Sequence, residues 1–155
     1  MKWLVWTLVT VLTWGVYGVF LHKGQMLMGD PANGRFKAFL FVGVAYLLAA
    51  VIGSAIILQA NGATWSFTQS GVIWSTVAGL AGAIGALGVL LAFAEKGTPP
   101  VVMSIVFAGA PIINALTAIA LHPPKAGWAA IKPQFLLGIA LAALGGFLVT
   151  KFKPN

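Results

Sequence analysis

Five runs of about 20 apolar residues, with the charged residues confined to the gaps and run ends, dictate what this chain can fold into. The runs cover about 3–21, 36–58, 72–93, 101–121 and 134–152. A helix rises about 1.5 Å per residue, so each is long enough to cross the hydrocarbon core of a bilayer. The nine basic and two acidic residues all fall between the runs or at their ends. A charge in mid-bilayer costs several kcal/mol, and a spanning chain avoids that cost by this placement. The expected fold is all-α, a bundle of five transmembrane helices forming a single transmembrane domain over residues 1–155, with the lipid bilayer as its main partner.

Composition supports the same reading. Only 7% of residues are charged, where a soluble domain carries roughly 25%. The formal net charge of +7 is spread over the connections with no basic patch interleaved with aromatics, which fits anionic lipid headgroups and not nucleic acid. Met1 and Lys2 before an apolar run resemble a signal peptide, but no small-x-small cleavage site follows. The run is therefore read as the first spanning helix, retained in the mature protein.

Turn chemistry marks the breaks. Gly29-Asp30-Pro31-Ala32-Asn33-Gly34 punctuates a connection expected to be about 14 residues long. Glu95-Lys96-Gly97-Thr98-Pro99-Pro100 is a tight polar turn whose prolines suit the first turn of the next helix. Trp65 and Trp128 fall in connections near helix ends, where indole rings favour the headgroup region. Lys23, Arg35, Lys37, Lys96, Lys151 and Lys153 gather on one side, against Lys2, Lys125 and Lys132 on the other. The positive-inside rule then places the C-terminus in the cytoplasm and the N-terminus outside.

Small residues recur every fourth position at Ala78, Gly82 and Ala86, and at Gly138, Ala142 and Gly146. Such ridges pack helices within one bundle or form a dimer face. Pro111, midway along the fourth run, removes a helical hydrogen bond; Asn114 and Thr117 follow it at helical spacing. That combination fits either a substrate path or plain helix geometry.

The first run carries Thr7, Thr10, Trp14 and Tyr17 on one helical face, with Thr13 beside it. A lipid-facing helix has no use for such a face. It is expected to point inward, lining a cavity for a small organic solute or hydrogen-bonding to neighbouring helices. Thr10, Trp14, Tyr17, Asn114 and Thr117 are the candidate substrate-binding residues; Ser75, Thr76 and Ser104 are weaker ones. Asp30 and Glu95 lie at helix ends, where interfacial structure accounts for them better than proton carriage. Cysteine is absent, and the two histidines and two acids form no metal-ligand spacing, phosphate loop, nucleophile set or carboxylate dyad. No catalytic residue, metal site or cofactor is expected, and the chain is not read as an enzyme.

The order of these features resembles one EamA-type repeat of the drug/metabolite transporter superfamily. The matching features begin with Trp14-Gly15 in the first run, with Lys23 after it, and the Gly-rich third run ending in Ala92-Phe93-Ala94-Glu95-Lys96-Gly97. They continue with Ser104, Pro111, and the Gly138 and Gly145-Gly146 pattern of the last run. Where family members often close the fourth helix with Gly-Glu, this chain has Leu121-His122-Pro123, and the family's second-helix arginine has a displaced counterpart in Arg35. Larger relatives carry two inverted repeats, so this chain resembles the half-size, five-helix bacterial and archaeal members. The resemblance implies a subunit of an inner (plasma) membrane transporter that moves a small metabolite or drug-like solute by alternating access. It also implies an inverted partner, either a second copy in a homodimer or a five-helix paralogue in a heterodimer. The competing expectation is a non-transporting membrane subunit or assembly factor that binds a partner protein through its small-residue ridges.

Overall fold

The computed structural model describes residues 2–125, 127 and 131–152, whose regular elements are all helices, with no strand among them. Five helices are long and apolar enough to cross a membrane: Lys2–Leu27, Gly34–Ala60, Gln69–Ala94, Pro99–Leu121 and Pro133–Lys151. We label the elements α1 (Lys2–Leu27), α2 (Gly34–Tyr46), a π-helical turn (Leu47–Ile52), α3 (Gly53–Ala60), α4 (Gln69–Ala94), α5 (Pro99–Leu121) and α6 (Pro133–Lys151). They fall into two compact units, residues 1–95 and 96–155. Trp128 and Lys153 lie outside the described residues.

In the first unit, α2 packs against both α1 and α4, and α1 meets α4. The core collects at one end of the three helices. Leu21 of α1, Ala38 of α2, and Val89, Leu90 and Phe93 of α4 are buried, Leu90 completely. Gly18 and Gly34 are buried with them. Glycine is required at position 34, where a Cβ would sit 2.9 Å from the Gln25 carbonyl oxygen as α2 starts back alongside α1. Beyond this core, residues 2–16 of α1 and 69–85 of α4 are exposed on every face. Large apolar side chains such as Trp6, Leu12, Trp74 and Ile84 stand on that surface, which suits acyl chains and would aggregate in water.

The first span is longer than the sequence suggests. It continues through His22 and Lys23 to Leu27, and α2 starts at Gly34, so the connection shrinks to Met28–Asn33. Charges limit the part of a helix that lipid can cover, but only turn chemistry ends the helix. Gly29 supplies that turn with φ +66°, and Asp30 Oδ1 accepts the Ala32 and Asn33 backbone N–H groups at 3.1 and 2.9 Å. Lys37 Nζ reaches Asp30 Oδ2 at 2.7 Å. The Lys37 ammonium and the Asn33 backbone N–H hold the Asp30 carboxyl well below its usual range, to about 2.

The second span is continuous but widens into a π turn at Leu47–Ile52, where the Gly53 N–H bonds the Leu48 carbonyl. No glycine, proline or polar residue in Leu47-Leu48-Ala49-Ala50-Val51-Ile52 announces it. The span ends in a Schellman motif: Gly62, at φ +62°, donates to the Gln59 carbonyl and Ala63 donates to that of Leu58. Thr68 caps α4, its hydroxyl accepting the Gly71 N–H at 3.3 Å.

The second unit is a helix pair. Pro99 and Pro100 occupy the first turn of α5, which runs through Pro111 without a break in its assignment. Tight packing against α6 occurs at Gly146, where a Cβ would overlap that of Ala108 and lie 3.3 Å from the Ser104 carbonyl oxygen. Of the two expected ridges, Gly138–Ala142–Gly146 therefore makes a close helix contact at its last member.

Candidate functional site

Threonine in mid-helix competes with the backbone for hydrogen bonds, and α1 shows where its hydroxyls go. Thr7 Oγ1 donates to the Trp3 carbonyl at 3.0 Å and Thr10 Oγ1 to that of Trp6 at 3.0 Å. Thr13 Oγ1 lies 2.9 Å from the Val9 carbonyl and 3.1 Å from that of Thr10. Each hydroxyl proton is thus committed to α1 itself. The oxygens retain lone pairs, so towards a solute these threonines are acceptors.

Trp14 and Tyr17 are brought together, with ring centroids 6.3 Å apart and planes tilted by 33°. A groove of about 380 Å³ runs between α1 and α2. On the α1 side its wall is Thr13, Tyr17, Phe20 and Gly24; on the α2 side it is Phe41 and Ala45. The face that α1 turns to α2 is thus rotated slightly from the Thr7–Thr10–Trp14–Tyr17 stripe, and Tyr17 belongs to both. Thr10 is exposed and does not line the groove; Trp14 is half exposed. The Tyr17 hydroxyl is shielded and has no hydrogen-bond partner among the described residues.

On its other side α2 faces α4 across a second groove of about 400 Å³. The ridge Ala78–Gly82–Ala86 lines it opposite Phe39, Gly43 and Tyr46, immediately before the π turn. A Cβ added at Gly82 would meet nothing within 4 Å, so this ridge borders open space where Gly146 borders a neighbour. Ser75 and Thr76 lie on the exposed part of α4.

Asn114 and Thr117 lie on α5 in the second unit and are both exposed. The groove of about 330 Å³ between α5 and α6 is lined by Ile105, Ala108, Ile112 and Phe147 among others, but not by them. Ser104 directs its hydroxyl to the Pro100 carbonyl. Among the described residues no three His, Cys, Asp or Glu side chains gather as a metal site would require.

Sequence reasoning passed over one polar group. His22, Gln25 and Arg35 look like interfacial residues at helix ends, yet each buries a polar atom with no partner among the described residues: His22 Nδ1, Gln25 Oε1 and Arg35 Nε. The signal that finds them is the length of α1, whose last turns carry His22 and Gln25 back past the start of α2. Comparison with protein-family models, curated proteins and solved structures gives no match.

Proposed function

We propose that the chain is a multi-pass protein of the inner (plasma) membrane, N-terminus outside and C-terminus cytoplasmic, that serves as half of a transporter. On this reading it is an EamA-like five-helix repeat that moves a small metabolite or drug-like solute by alternating access. It works as a dimer with an inverted second copy or paralogue, and it needs no cofactor.

The observation that carries the reading is the Tyr17 hydroxyl, shielded and unpartnered on the wall of a 380 Å³ groove between two apolar spans. Inside a span an unsatisfied hydroxyl costs about 1–3 kcal/mol, so a solute or water that bonds it is favoured there. The chemistry of the wall narrows the class of solute. A Thr13 oxygen that only accepts, the aromatic faces of Tyr17, Phe20 and Phe41, and no carboxylate suit a solute with hydrogen-bond donors and a flat or cationic body.

The test is a thermal-shift screen of the purified protein against aromatic amines, quaternary cations and neutral aromatics, followed by flux of each hit in proteoliposomes. Trp14→Ala and Tyr17→Phe are expected to weaken binding and flux about 10-fold or more, with unchanged elution and helicity. Hits transported equally well by both variants would remove the aromatic wall from the mechanism. The second reading, a non-transporting assembly subunit, is favoured by the open Ala78–Gly82–Ala86 ridge, which leaves room for a partner's helix. It predicts no solute binding and loss of a partner on Gly82→Leu.

A further inference from the structure

At the packed end of the first unit, beside the turn that joins α1 to α2, lies a pocket of about 350 Å³. Gln25, Asp30 and Arg35 supply its polar wall, and Met26, Pro31 and Phe93 its apolar one. We propose that this pocket binds a phosphate- or carboxylate-type oxyanion carried on an apolar body, held by Arg35 and Gln25. The site does not depend on the transporter reading.

The argument starts from Arg35. Its guanidinium carbon stands 5.0 Å from the Phe36 ring centroid, and its Nε is shielded with no hydrogen-bond partner among the described residues. Stacking engages the face of a guanidinium and leaves its in-plane N–H edge for an acceptor. The pocket's own acid does not fill that role. Asp30 Oδ1 takes two backbone N–H groups and Oδ2 takes Lys37 and the Asn33 side-chain amide. Glu95, which follows Ala94 of the pocket wall, forms no ion pair with Arg35 among the described residues. Arg35 is thus a permanent cation with no matching anion among the described residues.

Gln25 is the second element. Its side-chain oxygen is shielded and unpartnered, and a carboxamide turned about its last torsion presents an NH₂ to the same point. It can therefore donate to an oxyanion or accept from a protonated phosphate oxygen. Arg35 stands in the first turn of α2, which contains no acidic residue, so the helix's positive end adds to the same field. Phe93 packs against the His22 ring, edge to face at 5.0 Å. The volume would hold on the order of ten waters, far more than two orphaned atoms require. The apolar part of the wall, Met26, Pro31 and Phe93, gives the rest of a ligand a place to lie.

Two sources present this chemistry: the headgroup of an anionic lipid, and a soluble phosphate or carboxylate. They separate in one experiment on the purified full chain. The thermal midpoint is titrated with inorganic phosphate and with phenylphosphate in neutral detergent. Lipid retention is measured in parallel by native mass spectrometry, with phosphatidylglycerol against phosphatidylcholine. Each is repeated for Arg35→Gln, Arg35→Lys and Gln25→Ala, with Lys23→Gln as the control for non-specific attraction to an exposed cation at the same end.

Loss of a bidentate, charge-assisted contact is expected to weaken binding about 10- to 100-fold in Arg35→Gln. Arg35→Lys, which keeps the charge without the fork, is expected to lose roughly 10-fold and acts as the folding control. A response to phenylphosphate assigns the site to a soluble anion. Selective retention of phosphatidylglycerol with no response to either phosphate assigns it to lipid. Equal weakening by Lys23→Gln and Arg35→Gln, or no response to any probe, overturns the proposal.

Discussion

Gly146 offers a direct test of how α5 and α6 are joined. A Cβ there would overlap the Ala108 Cβ and press on the Ser104 carbonyl at 3.3 Å, neither of which is the movable end of a flexible side chain. Carbon atoms rest at about 3.5–4.0 Å, so the two helices must part by roughly 1 Å or more at this level. Overpacking of this kind costs about 1–3 kcal/mol. Against it stands the helix propensity that alanine gains over glycine, about 1 kcal/mol. Gly145→Ala is the control, because a Cβ at that position meets nothing within 4 Å and collects the propensity gain alone. The propensity contributions cancel in the comparison, so Gly146→Ala is expected to be less stable than Gly145→Ala by about 1–3 kcal/mol. Adding Ala108→Gly removes the overlap and is expected to recover most of the difference, less about 1 kcal/mol for a second helical glycine. Unfolding in mixed micelles of rising dodecyl sulfate fraction, followed by far-ultraviolet circular dichroism, reads the parent chain and all three variants. Equal stability of Gly145→Ala and Gly146→Ala would refute the close approach, and absence of rescue by Ala108→Gly would place the clash elsewhere.

Four further outcomes follow from named contacts. Thr68→Ala removes the hydroxyl that caps α4 and is expected to cost about 1 kcal/mol in the same assay, while Thr68→Asn is close to neutral. Lys96, which follows the end of α4 at φ +69°, occupies a conformation that costs an L-residue about 1 kcal/mol, so Lys96→Gly is expected to raise the unfolding midpoint. The Asp30 carboxyl is held down to about 2, so the stability its ionised form contributes is complete above the ordinary carboxylate range. That contribution disappears as pH falls from about 4 towards 2, and an Asp30→Asn variant, compared by acid titration of the thermal midpoint, is expected to lack this step. For topology, the chain has no cysteine, so a single one placed at either terminus reports cleanly to an impermeant thiol reagent on intact cells. Labelling of the N-terminal cysteine alone is expected, and partial labelling of both would mean dual insertion.

The five long apolar helices were legible because crossing a bilayer demands a closed backbone with an apolar surface about 20 residues long, and the positions of eleven charges (nine basic plus two acidic) mark where such stretches end. Pro99 and Pro100 in the first turn of α5 were legible for a local reason, since proline lacks the N–H that this turn leaves unpaired. The π turn was not, because Leu47–Ile52 gives no side-chain signal for the wider backbone turn. The ridges were legible as patterns but not as contacts. Gly82 and Gly146 carry the same spacing, yet one faces open space and the other a neighbouring Cβ. The stripe on α1 behaved similarly: spacing put Thr10, Trp14 and Tyr17 on one face, and the direction of α2 decided that Thr13 and Tyr17 line the groove.

Unpaired polar atoms carry more information in such a chain than polar residues do. A threonine in a span is nearly silent, because its hydroxyl satisfies itself on the turn before, as Thr7, Thr10 and Thr13 all do. Tyr17 and Arg35 have no such recourse. A phenol oxygen stands too far from its own backbone to bond it, and the Arg35 guanidinium lies over the Phe36 ring with its Nε bonded to no described residue. Both therefore carry a requirement that the described residues leave unmet, Tyr17 beside a groove between the apolar helices and Arg35 where they meet the polar turn. The two sites ask for opposite chemistries, a donor-bearing flat solute at the first and an oxyanion at the second. A single amphipathic ligand would not serve both, so binding at one is expected to survive the loss of the other.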